Sequence, residues 1–418
     1  MINQNIINNF YSTLLIFLPI SIILGPSISL LNIIIICLFF IFIYMKIQSS
    51  LLLFRNETVL LLILLSFYLV LNTFVSLDPS NSATRNLGFI RFIIFFIAIN
   101  YFFFKNNYKL FIFKPWLIIF SVFVFDVYFE RFYGVNTLGF GALESSHGPR
   151  IVSFFKDEPI AGAYLNGMVY IVFGYICYIL KGQNNLLKHI SLIALIVFFI
   201  AVLLTGERSN TIRVLFGLSI FVFFLDYFKL KSKLIFLISI IMFITIIISQ
   251  SDFLKNRYVG QLYKNVVSEE RRDIFFDNNV YINLYKSGIS VFKNNSIFGV
   301  GTKNYRVATC DGNKSYNEDY YCSTHPHQIY IEFLSEHGIF GSIICFLVLF
   351  RLIFKNIKNI IYSKNYIQIG TFVYILTNFI PLIPSGSFFS DFNITFFMIN
   401  LSIMYAVSNK TNIFEIKK

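Results

Sequence analysis

The chain has 418 residues, 56% of them hydrophobic and 13% charged, with 53 phenylalanines. A soluble domain cannot cover that much apolar surface, whereas a bilayer accepts it, so the composition excludes a soluble globular enzyme and implies a polytopic membrane protein. The formal net charge of +13 would suit a nucleic-acid partner, but most lysines sit in short loops between apolar runs, as topology determinants do.

A membrane span needs about 20 apolar residues. Runs of that kind occur at 10–27, 29–45, 58–77, 87–104, 112–130, 160–180, 189–205, 211–228, 234–250, 336–354, 366–383 and 391–407. The expected fold is therefore all-α and integral to the membrane, with about 12 transmembrane helices. Residues 1–9 lack a basic n-region, so the first run reads as a retained span rather than a cleaved signal. An even number of spans puts both termini on one side. Alternate loops carry Lys46 and Arg55; Lys105, Lys109 and Lys114; Lys181 and Lys188; Lys229, Lys231 and Lys233; and Arg351, Lys355, Lys358 and Lys364, with Lys410, Lys417 and Lys418 at the tail. The positive-inside rule makes that face, and the termini with it, cytoplasmic. The outer face receives Asp78–Arg85, Arg131–Pro159, Gly206–Asn210, Ser251–Ser335 and Pro384–Ser390.

The interval 251–335, between spans 9 and 10, is too long for a plain connection and should contain short helices. Within it, Tyr281–Lys293 has apolar residues at Leu284, Ile289, Val291 and Phe292, the pattern of an amphipathic helix near the membrane surface. The two glycines of Asn295-Ser296-Ile297-Phe298-Gly299-Val300-Gly301 then permit a tight turn. Cys37, Cys177 and Cys345 lie in apolar runs as inert filler. Cys310 and Cys322 flank a polar segment and can form a bridge if that loop faces an oxidising compartment. No CxxC spacing, Cys/His cluster or P-loop points to a metal or another cofactor.

Four polar clusters fall on the outer face. The first runs from His147 and Arg150 through Asp157 and Glu158 to Gly162; the second is Thr205-Gly206-Glu207-Arg208-Ser209-Asn210, with Arg213 inside the following run. The third is Glu269-Glu270-Arg271-Arg272-Asp273, and the fourth is Thr324-His325-Pro326-His327-Gln328, leading to Gly338 and holding, with His337, three of the five histidines. Charges at membrane depth pair, line a water-filled cavity or grip an anion, and guanidinium forks suit phosphate. Arg208 and Arg213 thus read as phosphate ligands or as partners of Glu207 that trim a helix end. Arg150 and Glu158 read as site or as ordinary loop charges, and Arg272 as site or as a solvated face. Pro326 suits the first turn of a helix, which would set His327 among free backbone donors that disfavour the imidazolium. His327 then reads as a neutral base or as a plain helix cap, with His325 beside it.

These segments resemble the O-antigen ligase and O-antigen polymerase superfamily of bacterial envelope proteins. The resemblance rests on His327, Gln328, the nine residues Ile329–His337 and Gly338; on Tyr285 followed by Asn295–Gly301; on Thr205–Ser209; and on Arg150 through Gly162. It covers the region 145–345, flanked by N-terminal helices in 1–144 and C-terminal helices in 346–418. The resemblance implies a GT-C-like, metal-independent, inverting glycosyltransferase of the inner membrane, with no cofactor and its active site facing the periplasm. Its donor would be an undecaprenyl-pyrophosphate-linked glycan. The acceptor would be lipid A–core for a ligase, or a second lipid-linked glycan for a polymerase. By the same resemblance His327 is the catalytic base, and Arg208, Arg150, Arg213, His325, Glu158 and Arg272 bind pyrophosphate or glycan. Many ligases carry arginine where Tyr281 stands, leaving Arg271, Arg272 or Arg257 as replacements. Rival classes are a lipid-glycan flippase or transporter, disfavoured by spans nearly free of charge away from their ends, and a non-catalytic envelope scaffold.

Overall fold

The computed structural model describes residues 4–44, 56–141, 150–156, 158–260, 279–310 and 320–415. Among them the structure is helical, with one isolated bridge between Val135 and Gly141. The first half comprises α1 (Gln4–Ile23), α2 (Pro26–Tyr44), α3 (Glu57–Phe74), α4 (Pro79–Gly88), α5 (Ile90–Lys105), α6 (Phe113–Tyr133) and α7 (Ala161–Leu180). The rest comprises α8 (Asn185–Leu204), α9 (Arg208–Phe224), α10 (Leu230–Gln250), α11 (Val280–Asn294), α12 (Tyr305–Cys310), α13 (Ile329–Phe354), α14 (Ile357–Ser363), α15 (Tyr366–Asn378) and α16 (Asp391–Ala406). Short polar side chains start many of them: Asn56, Asp78, Asn184, Asn365 and Ser390 each accept a hydrogen bond from the first turn.

The centre of the bundle is α7 packed on α15, with α16 and α5 beside them. Glycines set that approach. A Cβ on Gly174 would lie 2.5 Å from the Tyr366 carbonyl oxygen, and one on Gly370 would lie 2.2 Å from that of Tyr170. At the periphery α10 is almost bare of protein contact, with 6% of its apolar window buried.

All twelve expected spans overlap a helix, but seven helices among the described residues are long and apolar enough to cross a membrane. The difference has physical causes. α6 carries Lys114, Asp126, Glu130 and Arg131, while α9, α15 and α16 have only 17, 13 and 16 residues. α15 and α16 are enclosed by other helices and need no lipid-facing hydropathy, so Gln368 and Asn400 are tolerated there, donating to Met404 O and Gly167 O.

The loops sort by end as the alternation expects. At one end Asn56 Nδ2 donates to Ile413 O, Tyr108 OH donates to Glu415 at 2.5 Å, Arg351 and Lys355 flank Glu57 at 2.9 Å each, and Lys364 pairs with Asp226. The opposite end gathers the Asp78–Arg85, Gly206–Asn210 and Pro384–Ser390 loops, the described part of 131–159 and α11 to α13.

At that end one expectation is extended and another needs correction. α11 matches the expected amphipathic helix, and its buried face (Leu284, Ser287, Gly288, Ser290, Val291) packs on α13. Gly288 permits this, since a Cβ there would meet Ile331 and Pro326. Helix α13 begins at Ile329, not at Pro326: Gln328 is its N-cap, its side chain accepting from Ile331 N, while His327 has φ +55 and precedes the helix. Farther on, α13 breaks at Gly338 (φ 62, ψ −171). The opened turn pairs with the Asn295–Gly301 segment: Val300 N donates to Ser335 O, Gly301 N to Glu336 O, Ile339 N to Ser296 O and Phe340 N to Ile297 O, at 3.0, 2.8, 2.8 and 3.2 Å. Nearby, Cys310 and Cys322 form a disulfide.

Candidate active site

The Arg150 segment is positioned from α6. Glu130 accepts from Val152 N and Ser153 N at 3.1 and 2.6 Å. Asp126 accepts from Ser153 Oγ at 2.6 Å and from Thr137 N at 2.9 Å. These two span carboxylates therefore anchor a loop. Glu207 does likewise for α7: Gly162 N donates to it at 2.6 Å and Asn210 Nδ2 at 2.7 Å. A Cβ on Gly162 would come within 2.8 Å of Thr205 Oγ1 and 2.9 Å of Glu207 Cδ, so the Arg150–Gly162 and Thr205–Ser209 segments interlock. Burial pushes the Glu207 carboxyl up to about 7, opposed by those hydrogen bonds and by Arg150. Glu207 forms no ion pair with Arg208 or Arg213, so the helix-trimming reading fails. Arg213 instead donates through Nη2 to Pro384 O at 3.1 Å, and among the described residues no carboxylate pairs with Arg150 or Arg208.

The same Pro384–Ser387 strap holds the histidines. Ser385 N donates to His327 O at 2.8 Å, and His325 Nε2 lies 3.2 Å from Ser385 O. A carbonyl only accepts, so His325 Nε2 carries the proton and Nδ1 accepts from Thr324 Oγ1 at 2.9 Å. Both nitrogens of His325 are thus committed. Its ring lies against that of His327 with centroids 3.9 Å apart, and Tyr281 meets His327 edge-on at 5.9 Å. Burial lowers the pKa of both imidazoles; the neighbouring His327 adds to the effect on His325, which falls to about 4. His327 is therefore neutral at pH 7, as expected, but because it is desolvated rather than because it sits in a helical first turn. Beneath the strap, Glu332 of α13 accepts from Ser387 Oγ at 2.5 Å and from Phe388 N at 3.1 Å, tying strap to helix.

These walls enclose one cavity of about 1430 Å³, larger than the roughly 300–1,000 Å³ usual for a small-molecule site. Arg150, Glu158, Arg208, Arg213, His325 and His327 all line it. Arg272 lies outside the described residues. Seven basic side chains line the cavity against three glutamates. The Nε atoms of Arg150 and Arg213 and Ser385 Oγ are buried there with no hydrogen-bond partner among the described residues. Helix α9 opens on the same space with Arg208, Ser209 and Asn210, its first-turn amides adding positive potential. The apolar part of the wall comes from Ile22, Ile23, Pro26, Leu138, Phe140, Phe154, Phe155 and Phe392. Cations, a neutral imidazole and greasy walls together suit an amphiphile with an anionic head.

Reading the sequence for ionisable side chains missed the strap, which acts largely through backbone groups of Pro384 and Ser385. Its signal was the Pro, Ser and Gly content of 384–387 between two apolar runs. Of the residues weighed around the family arginine, Arg257 and Tyr281 line the cavity, as does Glu336, which the sequence did not single out.

The structure is thus that of an integral membrane protein with a cationic, imidazole-bearing cavity at one end of a helical bundle. Residues 193–346, which hold Arg208, Arg213 and the His327–Gly338 motif, match the family model described as O-antigen ligase, a match that supports that superfamily. No curated protein matches the chain.

Proposed function

We propose that the protein transfers glycan from an undecaprenyl-pyrophosphate carrier to lipid A–core on the periplasmic face of the bacterial inner membrane, by inverting displacement on a GT-C-like scaffold of up to twelve spans. The acceptor hydroxyl oxygen attacks the anomeric carbon while His327 takes its proton. The bond from that carbon to the pyrophosphate oxygen breaks, and the electron pair leaves with the carrier. Arg150, Arg208 and Arg213 offset the charge that develops on the leaving group. His325, with both nitrogens engaged, positions His327, and Glu158 contacts glycan at the rim.

The observation that carries this reading is the single cavity shared by His327 and three arginines from two other segments. The basic loops at the opposite end support a cytoplasmic placement there, and the Cys310–Cys322 bridge supports an oxidising compartment at the cavity end. His327→Ala or Arg208→Ala should abolish long-chain surface glycan at normal protein abundance. Wild-type glycan length and amount in both variants would refute the assignment.

A second reading is a repeat-unit polymerase, whose acceptor is another lipid-linked glycan. Tyr281, at the position where many ligases resembling this chain carry arginine, favours it. Electrophoresis of glycan from a deletion strain separates the two: loss of all long chains with accumulated precursor indicates a ligase, and capping by a single repeat indicates a polymerase.

A further inference from the structure

Helix α11 brings Tyr281 and Tyr285, one turn apart and so on one face, to the cavity wall. Tyr281 keeps 38% of its surface exposed, so its ring is not packed away in the core. Its ring contact is with His327, T-shaped at 5.9 Å, whereas Phe154 and Phe155 of the same wall lie against Phe123, and Phe389 is stacked on Phe333. On the cationic side, Tyr281 lies within electrostatic reach of Arg257, and Tyr285 within reach of Arg213.

In a displacement at an anomeric carbon, the reacting sugar must lie between the base and the leaving group. Tyr281 and Tyr285 flank that line, with the imidazole on one side and guanidiniums on the other. A pyranose is amphipathic: its equatorial hydroxyls form a polar rim, and its faces carry C–H bonds with partial positive charge. An aromatic ring is negative over its face and so accepts a C–H face, which a cationic side chain cannot do. Asn279, Thr324 and Asn210 line the same cavity and suit the hydroxyl rim. A tyrosine that only anchors a protein at the membrane interface faces headgroups; Tyr281 faces an imidazole inside a cavity.

We propose that the Tyr281 ring is the platform on which the sugar attached to the pyrophosphate stacks, selecting a pyranose that presents an unobstructed C–H face beside His327. This rests on the reading of the cavity as a site for a lipid-pyrophosphate-linked glycan, and it adds the residue that meets the transferred sugar and the face that sugar must offer.

The test is equilibrium binding to the purified full-length protein of three probes: farnesyl pyrophosphate, and the same lipid pyrophosphate carrying N-acetylglucosamine or N-acetylgalactosamine. The wild type should bind at least one sugar-bearing probe more tightly than farnesyl pyrophosphate. Tyr281→Leu keeps apolar bulk but removes the ring, and should weaken the preferred sugar-bearing probe about fivefold or more while leaving farnesyl pyrophosphate within about twofold. Tyr281→Met carries the same prediction if the Leu variant does not accumulate. Tyr281→Phe keeps the ring and should retain most of the preference for sugar. A wild type without that preference, a preference that survives Tyr281→Leu, or equal weakening of all three probes in that variant would overturn the platform. So would a loss in Tyr281→Phe as large as in Tyr281→Leu, which would assign the effect to the hydroxyl. Arg208→Gln tests the underlying reading separately: it should weaken all three probes about tenfold, and unchanged binding there would count against the pyrophosphate site itself.

Discussion

Gly338→Ala tests whether the glycine of the His327–Gly338 motif acts through the backbone break in α13. At φ 62 and ψ −171 the residue occupies a region that only glycine adopts readily, and an added Cβ would lie 2.3 Å from Ile297 O and 2.6 Å from Gly299 N. Both contacts are backbone, so no side-chain rotation relieves them. The conformational strain alone costs about 1–3 kcal/mol. If α13 straightens instead, the bonds from Val300, Gly301, Ile339 and Phe340 are lost at about 1 kcal/mol each, partly offset by the better helix propensity of alanine, about 1 kcal/mol. Either route costs about 3 kcal/mol or more, and straightening would also carry the Ile329 end, with His327, away from the arginines. Thermal unfolding of purified protein should show a clear drop in melting temperature, together with loss of glycan transfer. Gly182→Ala is the control: its φ is +89 but nothing lies within 4 Å of the added Cβ, so it meets strain without collision. If Gly338→Ala melts and transfers like the wild type, or no worse than Gly182→Ala, the break is not what the motif glycine provides.

The remaining predictions concern the loop that carries the histidines. The folded pKa of His327 lies below its ordinary value, so the neutral, proton-accepting form persists below pH 6.5 and is lost only as pH falls through that lowered value. Transfer at pH 6.0, relative to pH 8, should exceed the roughly one quarter expected of an imidazole at its ordinary pKa; a rate of one quarter or less at pH 6.0 would count against a desolvated base. The Cys310–Cys322 bridge closes a separation of 12 residues, for which loop-closure entropy gives about 3 kcal/mol. Cys310→Ser with Cys322→Ser should therefore melt lower and be cleaved faster by protease in that segment. Resistance of the wild-type pair to thiol alkylation in cells, abolished by reductant, would check that this end faces an oxidising compartment, and full alkylation without reductant would refute it.

Polar residues at the ends of apolar runs made much of this site readable in one dimension. Arg150, Arg208, Arg213, His325 and His327 stand out because a charge or an imidazole at membrane depth is costly and so is seldom idle. What brings them together was not readable, because it is mostly backbone. Pro384 and Ser385 join Arg213 to His325 and His327 through main-chain groups, and no side-chain pattern encodes a carbonyl direction. The start of α13 was misplaced for a related reason. Pro326 fits a first helical turn, but Gln328 supplies the competing cap and His327 takes a left-handed conformation that no helical position has. The buried face of α11 could be seen but not that it packs on α13, since an amphipathic stripe does not name what covers it. Nor does hydropathy separate lipid from protein as the neighbour of an apolar run: α15 and α16 are covered almost entirely by other helices. Arg257 shows the limit in another way: the sequence leaves it as one of three candidate replacements in a long loop, and only the fold, which turns Lys255–Gly260 against the Gly206 carbonyl, sets that side chain in the cavity wall.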